Sequence, residues 1–161
     1  MSDIASVLKH LTHGVYVVGV ADGEQTNAFT AAWVMQVSFS PILLALSINP
    51  KHSSYQLLKK SGVCSINVLS SAQQSMAAHF GQPASADKMA QGTWKKSVTG
   101  APILQESLAY FDCEFSHEIS AGDHQVVICR VREAGQLSAE GKRAMNYNET
   151  GDMDGSSDLY S

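Results

Sequence analysis

The most regular alternation of hydrophobic and polar residues lies in the last third of the chain. Ala109, Phe111, Cys113 and Phe115 fall on one face of a period-two pattern, and Tyr110, Asp112, Glu114 and Ser116 fall on the other. That spacing predicts a half-buried antiparallel strand. Ala121-Gly122-Asp123-His124 reads as a turn, and Gln125 to Arg132 returns as a strand with Val127, Cys129 and Val131 facing inward, which predicts a hairpin. Nearer the start, Val15 to Val20 is a β-branched run that stops at the turn pair Asp22-Gly23, and the chain resumes as a strand through Phe29 to Phe39. Ile42 to Ile48, bounded by Pro41 and Pro50, and Val63 to Leu69, after Gly62, bring the strands to six.

Helical spacing is confined to short pieces. Ile4, Val7, Leu8 and Leu11 follow a candidate N-cap at Asp3 and stop before Gly14. Ser53-Ser54-Tyr55-Gln56 fits a capping box ahead of Leu57 and Leu58, with Gly62 as the stop, and Ser71-Ala72-Gln73-Gln74 fits a second box leading through Met76 to Phe80. Residues 81–101 have no period and are expected to cross the surface. Six strands with two or three short helices predict a mainly β protein, an antiparallel six-stranded barrel, rather than alternating βαβ units. One domain is expected over 1–143. It is followed by an acidic tail over 144–161, which carries Glu149, Asp152, Asp154 and Asp158 without Lys or Arg and is expected to be mobile or to lean on a partner subunit.

Composition narrows the function. The 161 residues are 44% hydrophobic and 16% charged, which suits a single globular domain, and a net charge of −4 argues against a nucleic-acid binder. The three cysteines, Cys64, Cys113 and Cys129, lack metal or redox spacing and are read as reduced core residues. Neither a leader pattern nor a membrane-length apolar run is present, so a cytoplasmic protein away from membranes is expected.

Familiar catalytic patterns are missing. There is no GxGxxG, no P-loop and no GxSxG, and the six histidines have no HxH or HExxH spacing, so no metal site is predicted. Asn49-Pro50-Lys51-His52-Ser53-Ser54 is more informative, because it sets hydroxyls and a lysine where a strand end meets a helix start, a corner suited to phosphate. Helix capping by Ser53 alone is the competing reading. For His124 the spacing favours a solvated turn residue over a functional one. Trp33 and Trp94 read as packing residues, and Tyr55 as either.

Several stretches together carry a resemblance. They are Gly14-Val15-Tyr16-Val17-Val18, Asn27-Ala28-Phe29-Thr30-Ala31-Ala32-Trp33-Val34, Ser38-Phe39-Ser40-Pro41, Ser47-Ile48-Asn49 with Lys51 and Ser53-Ser54, Asn67-Val68-Leu69, and Gly122-Asp123-His124. From about Leu11 to Arg132 the chain resembles the flavin reductase family, FMN-binding split β-barrels that work as homodimers. It is especially similar to the reductase module fused to cyanobacterial flavodiiron proteins. Ala28 departs from the Gly common in relatives, and Ile42 from a second Pro.

The resemblance implies that Thr30, Ala31, Ala32, Trp33 and Val34 lie along the isoalloxazine edge. It assigns Ser47, Ile48, Asn49, Lys51, Ser53 and Ser54 to the cofactor too, with Asn49 to Ser54 at the ribityl phosphate, and puts His124 beside the nicotinamide. The expected activity is hydride transfer from NADH or NADPH to FMN, with FAD possible, and onward to free flavin, iron, an oxygenase or a flavodiiron protein. The alternative is a non-enzymic FMN-binding electron carrier of the same fold.

Overall fold

The computed structural model describes residues 3–85, 87–137, 142–153, 155 and 159. Seven strands form the main sheet: β1 (Tyr16–Asp22), β2 (Gln25–Ala31), β3 (Val34–Phe39), β4 (Ile42–Ile48), β5 (Val63–Val68), β8 (Ala109–Ala121) and β9 (His124–Gln136). Their order is β2-β1-β5-β8-β9-β4-β3, and every pairing is antiparallel. The two edge strands, β2 and β3, are consecutive in the chain and joined only by Ala32 and Trp33. A sheet whose edges are tied by so short a link must curl upon itself, and the result is a split barrel. The single strand expected over Phe29 to Phe39 is therefore two. Its apolar run continues unbroken through the link, so the pattern does not mark the point where the partner changes from β1 to β4.

Both faces of β1 are buried, which explains its continuous β-branched run. Val18 and Val20 enter the barrel interior with Phe29, Leu46, Ile66 and Val127, while Val15 and Val17 pack outside against Leu69, Ala77, Phe80 and Leu104. The outer layer is built by α3 (Gln74–Phe80) and by the small hairpin of β6 (Trp94–Lys95) and β7 (Ile103–Leu104). Gly19 is required beneath it. A Cβ there would meet the Pro102 carbonyl at 2.3 Å and Ser65 Oγ at 2.6 Å. Buried Asn67 fastens the same contact, donating to the Val17 carbonyl at 2.8 Å and accepting from the Leu104 N–H at 3.0 Å.

Residues 81–101 thus cover the barrel rather than simply crossing its surface. The expected polar face of β8 is corrected for the same reason: Asp112 points out of the barrel yet is buried, because Thr99 N–H and Oγ1 donate to its carboxylate. Met145, Tyr147 and Met153, beyond Arg143, also join this layer. Met145 is 1% exposed within the outer cluster, and Asn146 bridges to Gly14. Asp154 and Asp158 of the expected tail lie outside the described residues.

The helices are α1 (Ile4–Leu8), α2 (Ser53–Ser61) and α3. Asp3 caps α1 through the Ser6 N–H, as its position predicts, but α1 is shorter than the apolar spacing and buries no residue. Both capping boxes shift. His52, not Ser53, caps α2, with Nδ1 accepting from the Ser54 N–H at 3.2 Å. At α3, Gln73 Oε1 reaches back to the Ser70 N–H at 2.9 Å instead of to Ser71. Gly62 ends α2 at φ +73°, the left-handed conformation its position calls for. Cys64 and Cys129 lie 3.7 Å apart in the interior, and all three thiols are free and buried. Contact with Cys113, and then burial, pushes the Cys64 thiol up. No described helix is long and apolar enough to cross a membrane.

Candidate functional site

The link from β2 to β3 forms one wall of a cleft of about 670 Å³. Phe29, Thr30, Ala31, Ala32 and Trp33 line it, with Ser47 from β4 and His124 from the start of β9. Pairing explains how distant residues meet here. Ile48 sits opposite Gln125 in the β4–β9 ladder, and the Ser47 N–H donates to the Trp33 carbonyl at 3.0 Å. Trp33 and His124 therefore come together with ring centroids 5.0 Å apart. His124 Nδ1 is 2.6 Å from Asp123 Oδ1, a contact that holds the Asp123 carboxyl below its usual range.

The residues singled out in the sequence divide into three groups. Thr30, Ala31, Ala32, Trp33, Ser47 and His124 share the cleft, although the Thr30 hydroxyl is committed to the Ala77 carbonyl at 2.6 Å. Val34 packs on the barrel interior and Ile48 is buried within it, so their side chains serve packing. Asn49, Lys51, Ser53 and Ser54 form a second locus at the start of α2. There the Asn49 side chain accepts from the Lys51 N–H at 3.0 Å, while Lys51 and Ser53 are exposed and Ser54 is buried.

Two residues missed by sequence reasoning complete the second locus. Asn27, buried on β2, donates to Ser54 Oγ at 2.8 Å and Ser53 Oγ at 3.4 Å. Lys88 is 2% exposed, and among the described residues its ammonium donates to the Gln82 carbonyl, at 2.7 Å. No carboxylate pairs with Lys88 among the described residues. Burial pushes its pKa down; burial and then the nearby Lys88 charge also push that of His52 down. A neutral His52 is what the cap requires, because its Nδ1 must accept. Asn27 and Ser53 continue into a polar groove of about 490 Å³ shared with Gln56, Lys60, Ala84 and Ser85. Asn27 lies in a stretch the resemblance quotes, but Lys88 sits in aperiodic sequence and carries no local signal.

Other candidates resolve as structure. The Tyr55 hydroxyl donates to Glu118 at 2.8 Å, beside the Lys59–Glu118 ion pair at 2.7 Å, and so ties α2 to β8. Trp94 meets Phe80 edge-on and donates to the Met89 carbonyl at 3.0 Å. Among the described residues no group of three or more His, Cys, Asp or Glu is arranged to hold a metal ion.

A split barrel with an open cleft at its β2–β3 link and a cationic corner at a helix start is the architecture of a flavin-binding domain, and comparison agrees. The flavin reductase like domain model matches residues 8–155, and the chain belongs to that family. It is 32% identical over 130 residues to the FMN reductase (NADH) RutF of Variovorax paradoxus, covering 80% of this chain and 72% of that protein. Diflavin flavoprotein A 1 of Synechocystis is 28% identical over 153 residues, 93% of this chain but 27% of the relative, so the chain spans about a quarter of that protein's length. Among solved structures, BorF, the flavin reductase component of a bacterial two-component tryptophan halogenase, superposes with a TM-score of 0.80 at 25% identity, covering 91% of this chain and 92% of BorF.

Proposed function

We propose that this chain is a flavin reductase that binds FMN in the 670 Å³ cleft and oxidises NADH there, passing the electrons to free flavin, iron or a partner protein. The observation that carries the reading is the pairing of two loci: a cleft walled by residues 30–33, and a corner where a buried lysine has no carboxylate partner among the described residues. A buried ammonium with only one carbonyl acceptor is costly unless an anion joins it. The ribityl phosphate is such an anion, so the residues present fit FMN. Lys88, Ser53 and the Asn27–Ser54 pair would hold the phosphate, with Lys51 at the rim, and Thr30 to Trp33 with Ser47 would hold the ring edge. FAD shares that half of the molecule. The NADH choice rests on the name of the RutF relatives.

Bound FMN supplies a hydride acceptor, so the protein needs no acid, base or metal of its own. What the chain must do is align two rings and exclude water. His124 fits the first task. Its imidazole is held by Asp123 and packs against Trp33 on the lining of the cleft. A homodimer belongs to the same reading, because Trp33 of the link and Met35, Val37, Phe39 and Ile42 of β3 and β4 are exposed, an apolar strip unsuited to water. That BorF is the reductase component of a two-component halogenase supports a partner protein as acceptor.

The test is anaerobic mixing of FMN-loaded protein with NADH and with NADPH. Bleaching of flavin absorbance within seconds is the expected result. Bleaching by dithionite but by neither nicotinamide would instead mean an electron carrier, and failure to bind FMN would end both readings.

A further inference from the structure

The cleft has a second wall that the flavin reading does not use. It is also lined by Ala5 and Leu8 of α1 and by Lys9, His10, Leu11 and His13 just beyond it. Three basic residues within five positions thus line the same cleft as His124, with Asp152 as the acidic residue on its lining. None of the three basic side chains is engaged in an ion pair among the described residues.

Their backbone is not loose. The Lys9 carbonyl accepts from Asn148 Nδ2 at 3.1 Å, and the His13 carbonyl accepts from the Tyr147 N–H at 2.8 Å. Asn146 bridges to Gly14, and the buried Met145 anchors this strap in the outer cluster. Residues 9–13 are therefore clamped at both ends by the segment 145–148. The fixed backbone lowers the ordering cost of binding a ligand on those side chains. Tyr147 and Asn148 line the cleft as well, so strap and basic segment form one continuous wall.

We propose that Lys9, His10 and His13 form the docking wall for the phosphates of the nicotinamide dinucleotide, with the reduced nicotinamide reaching past them toward His124. This rests on the flavin reductase reading and names the part of the substrate that the second wall recognises. The chemistry is that of a pyrophosphate: an ammonium and two imidazole N–H donors suit its oxygens, whereas the aliphatic Ala5, Leu8 and Leu11 offer only contact surface. It also gives a use to the strap, whose folding onto the barrel the flavin site itself does not need. Long-range electrostatics sharpens the test. A chain of net charge −4 repels a dinucleotide, so added salt would weaken that repulsion and lower the NADH KM unless a local cationic wall dominates.

The experiment compares NADH with 1-benzyl-1,4-dihydronicotinamide, a hydride donor without phosphate, using the whole chain loaded with FMN. The triple variant Lys9→Gln, His10→Asn, His13→Asn is expected to raise the NADH KM by roughly tenfold with kcat held, and to leave the rate with the phosphate-free donor and the FMN affinity unchanged. In the wild type, raising KCl is expected to raise the NADH KM and not to alter use of the phosphate-free donor. This second arm stands even if the triple variant does not fold. An unchanged NADH KM in the variant, an equal loss with both donors, or an NADH KM in the wild type that falls or stays level with KCl would overturn the proposal. A wild type that accepts hydride from neither donor would overturn the flavin reductase reading instead.

Discussion

At the scale of single residues, the site turns on two side chains whose surroundings differ sharply. Lys88 is buried without a carboxylate partner among the described residues, so its proposed role is electrostatic. Lys88→Met is expected to weaken FMN binding about ten- to a hundredfold, the loss of one charge-assisted hydrogen bond, while riboflavin, which lacks the phosphate, binds as before. Lys51→Met, at the exposed rim, is expected to cost less than threefold. Fluorescence titration of the apo protein with both flavins measures all four values, and equal losses for FMN and riboflavin would make Lys88 a packing residue. His124 is the second case. Because hydride transfer needs no proton from it, His124→Ala is expected to retain FMN but to slow reduction by NADH by roughly three- to a hundredfold, with dithionite bleaching unaltered. Stopped-flow absorbance reads both rates.

At the scale of elements, the start of α2 joins stability to pH. His52 accepts the Ser54 N–H and must be neutral to do so, and its pKa is depressed by burial and then by Lys88. The unfolded chain takes up the proton first, near the ordinary histidine value of about 6.5, while the folded chain resists it. His52 therefore contributes stability above that pH that drains away as pH falls below it, down to the lowered folded value. His52→Asn keeps a capping oxygen without a titrating ring. The fall in Tm between pH 7.5 and pH 5.5 is expected to be smaller in this variant than in the wild type, and thermal melts in the absence of flavin would reveal an equal fall if the cap does not titrate. The serines beside it are released from capping by His52. Ser53→Ala with Ser54→Ala is accordingly expected to lower FMN affinity at least tenfold.

At the scale of the whole molecule, the exposed strip on β3 and β4 is the surface that the proposed homodimer would cover. Phe39 is 88% exposed and Met35 64%, values at odds with burial-seeking side chains on a free surface. A mass near twice 17.3 kDa is expected by light scattering. Phe39→Glu is expected to halve it, since a charge placed in such an interface cannot be desolvated without a partner. A wild-type monomer with full flavin occupancy would remove the dimer from the proposal.

Local sequence determined the elements whose causes are local. The Gly122-Asp123 turn, the period of β8 and the stop at Gly62 are written in spacing and glycine, because turn geometry and side-chain period need only neighbouring residues. The Thr30–Trp33 and Ser53–Ser54 loci were legible too, through several stretches that together resemble one family. What only the tertiary structure decided depends on contacts between distant parts of the chain. The apolar run from Phe29 to Phe39 changes sheet edges at Ala32-Trp33 because the barrel must close there. Asp112 is buried because Thr99 arrives from outside, and Lys88 acquires its meaning from His52, a neighbour thirty-six positions away. Met145 is core because Val15, Val17 and Leu69 leave an apolar surface for it to cover. No one-dimensional pattern encodes these, since each is a side chain whose environment is supplied by residues far off in the sequence.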